Sequence, residues 1–348
     1  MTTSHDVAVY IGRFQPFHIG HLVLLRKALE IAPLCVVVLG SSFQARTPKN
    51  PFTWEERAEM VRLSLSEAER ARVLFLPLRD YYNEPRWVAG VQRGVARLTG
   101  GRAQRVALVG HFKDATSEYL RQFPGWAVAP QERSAPVDGT HLRDALFGAP
   151  LHELEGALAL IGTLVPPGVA AFLHAWTALP FFDPLTHEWQ MLAQYKREWA
   201  SAPYPPVFVT VDAVVQCAGQ VLLIERGHAP GKGLCAVPGG FIEQRETAYQ
   251  SAIRELKEET HIGLLESSLL MALQEVAVFD HPDRSLRGRT ITHAHHFDLG
   301  DREPPEVRAG DDAAAADWIL IEHLTSMEDR FLDDHFHMLD HFLHLTAD

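Results

Sequence analysis

The sequence has 348 residues, 47% of them hydrophobic and 22% charged, a soluble globular composition long enough for two domains with separate cores. A formal net charge of −12 argues against a nucleic-acid partner, which would be held through surplus Lys and Arg, and leaves small anions bound by local clusters. Cys35, Cys217 and Cys235 form no CxxC pair, "MTTSHD" lacks the features of a signal peptide, and no apolar run approaches a membrane span, so a reducing cytoplasm is expected.

From residue 6 to about 147, the apolar runs "VAVYIG", "LCVVVLGSS", "VLFLPL", "RVALVGH" and "WAVAP" read as strands. Helix-like stretches such as "TWEERAEMVRLSLSEAER" and "RWVAGVQRGVARL" lie between them. This alternation predicts an α/β fold, a doubly wound and mostly parallel sheet with its ligand site beyond the carboxyl ends of the strands. Residues 150 to about 200 read as helices broken at Pro166 and Pro167, with "LPFFDPL" as a loop. "SAPYPPVF" reads as a linker because closely spaced prolines keep the backbone extended, which places a boundary near Pro205. The expected domains are therefore 1–180 and 206–348, joined by a linker over 181–205. In the second domain "VFVTVDAVV" and "QVLLIER" read as a strand pair, "TAYQSAIRELKEET" as a helix, "HFDL" and "DWILI" as short strands, and "DHFHMLDHFLHL" as an amphipathic helix. No internal repeat is visible.

"GRFQPFHIGH", residues 12–21, follows the first strand. A helix starting near His18 puts His18 and His21 on one face, one turn apart, beside unpaired N–H groups at its positive end. Imidazoles and helix-start amides suit a polyphosphate, Gly12 lets the chain pass closely, and Arg13 adds a fixed charge. A bare HxxH would equally be a pair of surface histidines. The ten residues, however, resemble the signature "GRFQPxHxGH" of the HxGH nucleotidyltransferase superfamily, in the wording of nicotinamide-nucleotide adenylyltransferases of the archaeal and bifunctional bacterial kind. "NPFTWEERAEM", "DYYNEPRWV" and "VGHFKD" continue the likeness.

That resemblance implies a Rossmann-like domain that transfers AMP from ATP to the 5'-phosphate of nicotinamide mononucleotide, with Mg2+, giving NAD and pyrophosphate. The acceptor phosphate is already ionised, so placement and charge neutralisation suffice without a general base. Catalytic roles are implied for His18, His21, Arg13, Arg46 and Arg143. Contacts to ATP or nicotinamide mononucleotide are implied for Gly12, Phe14, Gln15, Asn83, Trp87, Gly110, His111, Asp114 and Thr140. Asn83 would hydrogen-bond the nicotinamide and Trp87 stack on it, although Trp87 could equally be a core aromatic. Arg46 lies in a loop that no core requires. In "VDGTHLR" the family's second phosphate motif, ISxTxxR, is kept at Thr140 and Arg143 only. Asp138 replaces its serine and would either oppose a triphosphate or cap the following helix.

In "GGFIEQRETAYQSAIRELKEETHI", residues 239–262, Glu255, Glu258 and Glu259 stand at i, i+3 and i+4 and share one side of a helix. Lys257 lies off that face, so hard divalent cations, Mg2+ or Mn2+, would supply the missing charge. The segment resembles the Nudix box, G-x5-E-x7-R-E-U-x-E-E-x-G-U: Gly240, Glu246, Arg254, Glu255, Leu256, Glu258, Glu259 and Ile262 match, after Gly239, while His261 replaces the last glycine. The likeness implies an α/β/α sandwich with a mixed sheet that hydrolyses a nucleoside diphosphate linked to another moiety. Glu255, Glu258 and Glu259 would bind metal, Glu246 would add to the cluster, and Arg254 would orient the glutamates. The base would be a box glutamate or Glu306, Asp311 or Asp312. "SLRGRTITHAHHF" is similar to the matching segment of bifunctional adenylyltransferase/Nudix proteins, which implies ADP-ribose as substrate and Arg287 and Arg289 on its diphosphate. The histidines of "THAHHF" and the C-terminal helix close no zinc site, because alternate strand residues face opposite sides.

The implied protein is a bifunctional enzyme whose partners are small nucleotides (ATP, nicotinamide mononucleotide, NAD and ADP-ribose), with neither nucleic acid nor membrane. A homo-oligomer is compatible with the sequence, which does not fix the oligomeric state. Two alternatives stay open: the same folds acting on another phosphate acceptor and on NADH or a sugar nucleotide, or one half serving only as a ligand sensor.

Overall fold

The computed structural model describes residues 4–110, 122–131 and 137–346, and divides into two compact units, Met1–His187 and Glu188–Asp348. In the first unit, β1 (Val7–Gly12), β2 (Leu34–Leu39), β3 (Val73–Pro77), β4 (Val106–Gly110) and β5 (Ala127–Pro130) form a wholly parallel sheet in the order β3-β2-β1-β4-β5. Residues 35–39 of β2 are fully buried, which is why "LCVVVL" is apolar throughout rather than alternating. α1 (Ile19–Ile31), α2 (Trp54–Leu63) and α4 (Glu84–Leu98) pack on this sheet. The chain builds β2 and β3 on one side of β1 and then crosses to β4 on the other, so the switch point lies at the carboxyl ends of β1 and β4, where Gly12 and Gly110 sit. "RFQPFH" leaves the sheet at that place.

The stretch from Thr53 to Arg70 is two helices rather than one. α2 stops where the Ser64 hydroxyl donates to Met60 O (2.7 Å), and Ser66 opens α3 (Glu67–Arg70) with a capping box to Glu69. α5 (Gly139–Gly148), α6 (Leu154–Gly162) and α7 (Pro167–Trp176) follow, with Pro167 at the first position of α7. "LPFFDPL" is helical from Phe182 onward, since a proline in a first turn lacks only an N–H that would bond nothing there. This helix, α8 (Phe182–Trp199), occupies most of the expected 181–205 linker, and the division between the units falls within it.

The second unit is a seven-stranded mixed sheet. β6 (Val207–Cys217) pairs in parallel with β11 (Arg289–Asp298) and antiparallel with β7 (Gln220–Arg226) and β9 (Gly239–Phe241). β10 (Leu273–Phe279) lies on the far side of β11, β12 (Ala313–Leu320) pairs with β7, and the short β8 (Cys235–Ala236) also pairs with β7. Residues of β6 and β7 alternate between two cores. Val214, Val221 and Leu223 face Phe336, Met338 and Leu339 of α11 (His335–Leu343), while Ala213, Val215 and Leu222 face Ile253 and Leu256 of α9 (Ala248–Thr260). A helix on each face makes the expected α/β/α sandwich. α10 (Glu266–Ala272) completes the helices among the described residues. None of them is long and apolar enough to cross a membrane, and all three cysteines are buried free thiols.

Candidate active sites

His18 is the N-cap of α1 and His21 its third residue, and the two close a reciprocal capping box. His21 N donates to His18 Nδ1 (3.4 Å) and His18 N donates to His21 Nδ1 (3.3 Å), with the rings stacked at 3.5 Å. A neutral ring that accepts at Nδ1 carries its hydrogen on Nε2, so each histidine presents an Nε2–H donor. The helix start is less open than its sequence suggests, because Ile19 N donates to Leu164 O (3.0 Å).

Several buried groups hold the segment that delivers these histidines. Gly12 makes room for a ring: a methyl there would fall 2.7 Å from Phe14 Cζ. Phe14, in the left-handed region at φ 53°, is 1% exposed and sets its ring edge-on to Tyr10 and to His21 (4.9 Å), so it supports His21 from within the core. The Gln15 side chain is equally committed, exchanging 3.0 Å hydrogen bonds with both Phe52 N and Phe52 O. Arg57, which sequence reasoning missed inside "NPFTWEERAEM", is 1% exposed and donates to Arg13 O (2.7 Å), Gly40 O (2.7 Å) and Ser41 O (3.3 Å). Burial lowers its pKa to about 10, with Asp80 and Glu55 opposing and Arg13 reinforcing the shift, so it stays charged at neutral pH. Only its apolar-periodic position on α2 hinted at burial.

Arg143 donates to Gln15 O (2.6 Å) and Thr140 Oγ1 (3.1 Å), which draws the start of α5 against the histidine segment. Gly139 permits this, since a methyl there would lie 3.0 Å from Gln15 O. Burial, and next the charge of exposed Arg13, lowers the pKa of Arg143 to about 10. Asp138 takes the capping alternative, accepting from Thr140 N (2.7 Å). Arg46 is not an idle loop cation: it pairs with both Glu56 oxygens (2.6 and 2.9 Å), donates to Pro51 O and lies 4.1 Å over the Phe181 ring. Glu56 also accepts from Trp176 Nε1 (3.2 Å), so a packed network needs Arg46 after all. Exposed Asn83 caps α4 through Arg86 N (3.0 Å), and half-buried Trp87 packs edge-on to Phe123 (5.9 Å) against the core. Gly110 is buried at the end of β4, whereas His111 and Asp114 lie outside the described residues.

In the second unit, the carboxylates of the box gather around Arg254. It donates to Glu246 (3.0 Å), Glu255 (2.8 Å), Glu258 (2.9 Å) and Phe241 O (3.2 Å). Against the desolvation that would lower it, these carboxylates raise the pKa of Arg254, while Ser251 and then Arg254 lower that of Glu246. Arg254 thus supplies much of the countercharge that Lys257 cannot. Among the described residues no three metal-ligating side chains close on one point, so Glu255, Glu258 and Glu259 share a helix face without being gathered as a ligand set. Gly240 leaves space for Glu255, whose carboxyl would lie 2.5 Å from a methyl there, and burial raises the Glu255 pKa. Glu259, 2% exposed, accepts from Gly239 N (2.9 Å). Asp311 and Asp312 send their charge to Glu255 and Glu259 respectively, and nothing among the described contacts ties Glu306 to the cluster. His261 ends α9 in the left-handed region at φ 48°, and its ring accepts the strain by docking on Arg308 O (3.2 Å) beside Gly310.

Burial pushes Glu259 up to about 9 from its ordinary 4.5, opposed by the Gly239 hydrogen bond. The folded chain then holds a proton that the unfolded chain releases, so stability without metal falls as pH rises from 4.5 through about 9. In a chelator, the urea midpoint of the native protein is expected to drop more steeply between about pH 6 and about pH 9 than that of Glu259→Gln, which has no proton to lose.

Arg289 donates to Asp280 O and pairs with the Asp280 carboxylate, so it braces β11 instead of facing the cluster. Arg287 lies 5.0 Å over the Phe241 ring, and burial lowers its pKa. Beside it sits a buried polar network that sequence reasoning did not find. Arg284 pairs with both oxygens of Asp334 (2.9 and 2.8 Å), Thr292 donates to Asp212, and His335 Nδ1 accepts from Val237 N (3.1 Å). Burial, aided by Arg284, Arg226 and Arg287, holds His335 neutral. With side chains only 5% and 2% exposed, the Arg284–Asp334 pair cannot lose one member cheaply. Arg284→Met is expected to cost about 3–5 kcal/mol in urea unfolding, and adding Asp334→Leu to recover most of it.

A parallel sheet with paired histidines at its switch point, joined to a mixed sandwich carrying a complete carboxylate box, defines a nucleotidyltransferase-like unit followed by a Nudix unit. The family models agree: residues 9–91 match the cytidylyltransferase-like family and residues 206–342 the NUDIX domain. A nicotinamide/nicotinic acid mononucleotide adenylyltransferase of Acinetobacter baylyi is 33% identical over 185 residues, 53% of this chain and 94% of that protein. An ADP-ribose pyrophosphatase of Methanocaldococcus jannaschii is 36% identical over 119 residues, 34% of this chain and 65% of that protein. The crystal structure of a bifunctional NMN adenylyltransferase/ADP ribose pyrophosphatase from Francisella tularensis, complexed with AMP and a manganese ion, is 34% identical. It superposes with a TM-score of 0.88, covering 98% of this chain and 99% of that one. The chain belongs to this family of bifunctional NMN adenylyltransferase/ADP-ribose pyrophosphatases.

Proposed function

We propose that the first unit transfers AMP from ATP to nicotinamide mononucleotide and that the second hydrolyses ADP-ribose to AMP and ribose 5-phosphate. The observation that carries this reading is the arrangement of the two sites within one family: stacked His18 and His21 at the switch point, and three box carboxylates converging on Arg254 with the buried Glu259 held by Gly239 N.

In the transfer, an oxygen of the acceptor 5'-phosphate forms a bond to the α-phosphorus of ATP while the α–β bridge breaks and pyrophosphate leaves. The Nε2–H groups of His18 and His21 donate to the phosphate oxygens that gain charge, and exposed Arg13 adds a cation. Arg143, Gln15 and Arg57 position that segment, and Arg46 positions the loop at 46–56. Mg2+ enters with ATP as part of the substrate.

In the hydrolysis, water adds to one phosphorus of the diphosphate and the bridging oxygen leaves with the other product. Glu255, Glu258 and Glu259 fit Mg2+ or Mn2+, because they are hard oxygen donors on one helix face and Glu259 is buried there with Gly239 N as its hydrogen-bond donor. When bound, such an ion neutralises diphosphate charge and makes water more acidic. Arg254 orients the carboxylates, Arg287 meets the substrate diphosphate, and Asp311 or Asp312, whose charges act on Glu255 and Glu259, would take the proton. Three buried, unpaired thiols support a reducing, cytoplasmic setting. Purified protein given ATP and nicotinamide mononucleotide should form NAD, and given ADP-ribose with Mg2+ should release AMP. Failure to form NAD would reject the first reading, and hydrolysis of NADH or a sugar nucleotide in preference to ADP-ribose would reject the second.

A further inference from the structure

The box helix α9 ends where the box pattern has a glycine and this chain has His261. The residue adopts the left-handed region at φ 48°, a conformation that glycine takes freely and a side chain does not. It is also exposed, so its ring is not there to fill a core. What the histidine adds is a contact to another part of the chain.

The loop that leads into β12 lies against this helix end. Arg308 N donates to Thr260 O (2.8 Å) and Gly310 N donates to Glu259 O (3.0 Å), filling two carbonyls that the last turn of a helix leaves without a partner. His261 Nδ1 donates to Arg308 O (3.2 Å), so Arg308 is held through both its N–H and its carbonyl. The ring occupies the place where a side chain at residue 310 would go. A methyl on Gly310 would fall 2.0 Å from His261 Cε1 and 2.4 Å from Glu258 O. The glycine absent from the helix end stands instead in the loop, where it makes room for the ring.

Two further hydrogen bonds carry this contact to the box carboxylates. Ala313 N donates to Gly310 O (3.1 Å), closing a turn whose central residues are Asp311 and Asp312. Gly227 N donates to Asp312 O (2.8 Å), which fixes the far side of that turn to the residue after β7. Gly310 is therefore the corner from which both carboxylates are aimed, and the charges of Asp311 and Asp312 act on Glu255 and Glu259.

Resting on the reading of this unit as a hydrolase in which Asp311 or Asp312 takes a proton from water, we propose that His261 is a positioning residue for the reaction. Its ring latches the loop at 308–312 to the helix that carries the box glutamates, and so sets where the turn stands over them. Acting through the loop, it governs turnover rather than affinity for the diphosphate.

The test compares His261→Gly and His261→Asn with the native protein. Glycine holds the left-handed end without strain but removes the donor. Asparagine tolerates the left-handed region and carries a side-chain N–H close to where Nδ1 stands. With ADP-ribose and Mg2+, His261→Gly should lower kcat roughly tenfold and leave KM within about twofold, while its urea midpoint stays at or above the native one. His261→Asn should keep kcat within about twofold of native. Amide exchange gives a readout that needs no hydrolysis: Arg308 and Gly310 should exchange roughly tenfold faster in His261→Gly and at the native rate in His261→Asn. An unchanged kcat in His261→Gly, or an equal loss of kcat in His261→Asn, overturns the positioning role, and unchanged exchange overturns the latch. If the native protein leaves ADP-ribose intact, the hydrolase reading fails instead, and the exchange rates still decide whether the ring holds the loop.

Discussion

Replacing His18 by Asn is expected to lower kcat/KM for NAD formation by about a hundredfold or more while leaving the urea midpoint within experimental error. The Asn Oδ1 can accept from His21 N as Nδ1 does, so the cap of α1 survives. What is lost is the Nε2–H donor, the group that would meet phosphate oxygens as charge develops. His18→Gln should behave in the opposite way, weakening the cap by about 1 kcal/mol yet keeping a donor near the Nε2 position and with it more activity. Unaltered ADP-ribose hydrolysis in both variants would show that each is folded. Full transferase activity in His18→Asn would remove the histidine from the chemistry and leave it a capping residue.

Glu259→Gln is expected to reduce ADP-ribose hydrolysis at least about a hundredfold, since even outer partners of metal ligands are worth ten- to a hundredfold and this carboxyl is proposed as a ligand itself. The amide oxygen can still accept from Gly239 N, so the turn before the box is kept. NAD formation should not change. The same substitution should make the chelated protein less sensitive to alkaline pH, so loss of activity accompanied by gain of stability is the signature that separates a ligand from a structural carboxylate.

The topology was legible because the chemistry that builds it is local. The five strands of the first unit are short apolar runs, and the alternation of β6 and β7 between two cores follows from side-chain period. Which residues lie together at a site was legible where spacing along one helix decides it, as for Glu255, Glu258 and Glu259 or for His18 and His21. What could not be read were partners distant in sequence. Arg46 looked available because Glu56 and the Phe181 ring meet it only in the fold. Arg57 looked like any helix arginine because the carbonyls it binds end other strands. Arg284 and Asp334 stand 50 positions apart, and nothing in either neighbourhood announces a buried ion pair. The start of α8 was not legible because "LPFFDPL" reads as a loop, although Pro184 in a first turn interrupts nothing.

The Arg57 guanidinium also bears on how a nucleotide would be received. One cation grips the carbonyls of Arg13, Gly40, Ser41 and Thr53, which belong to three separate stretches of chain. None of them can drift without stranding a charge away from water, so they travel as a single body. The ordering that a flexible phosphate loop would undergo at each encounter is completed here when the protein folds, and amide exchange at Gly40 and Ser41 should be as slow before the nucleotide arrives as after.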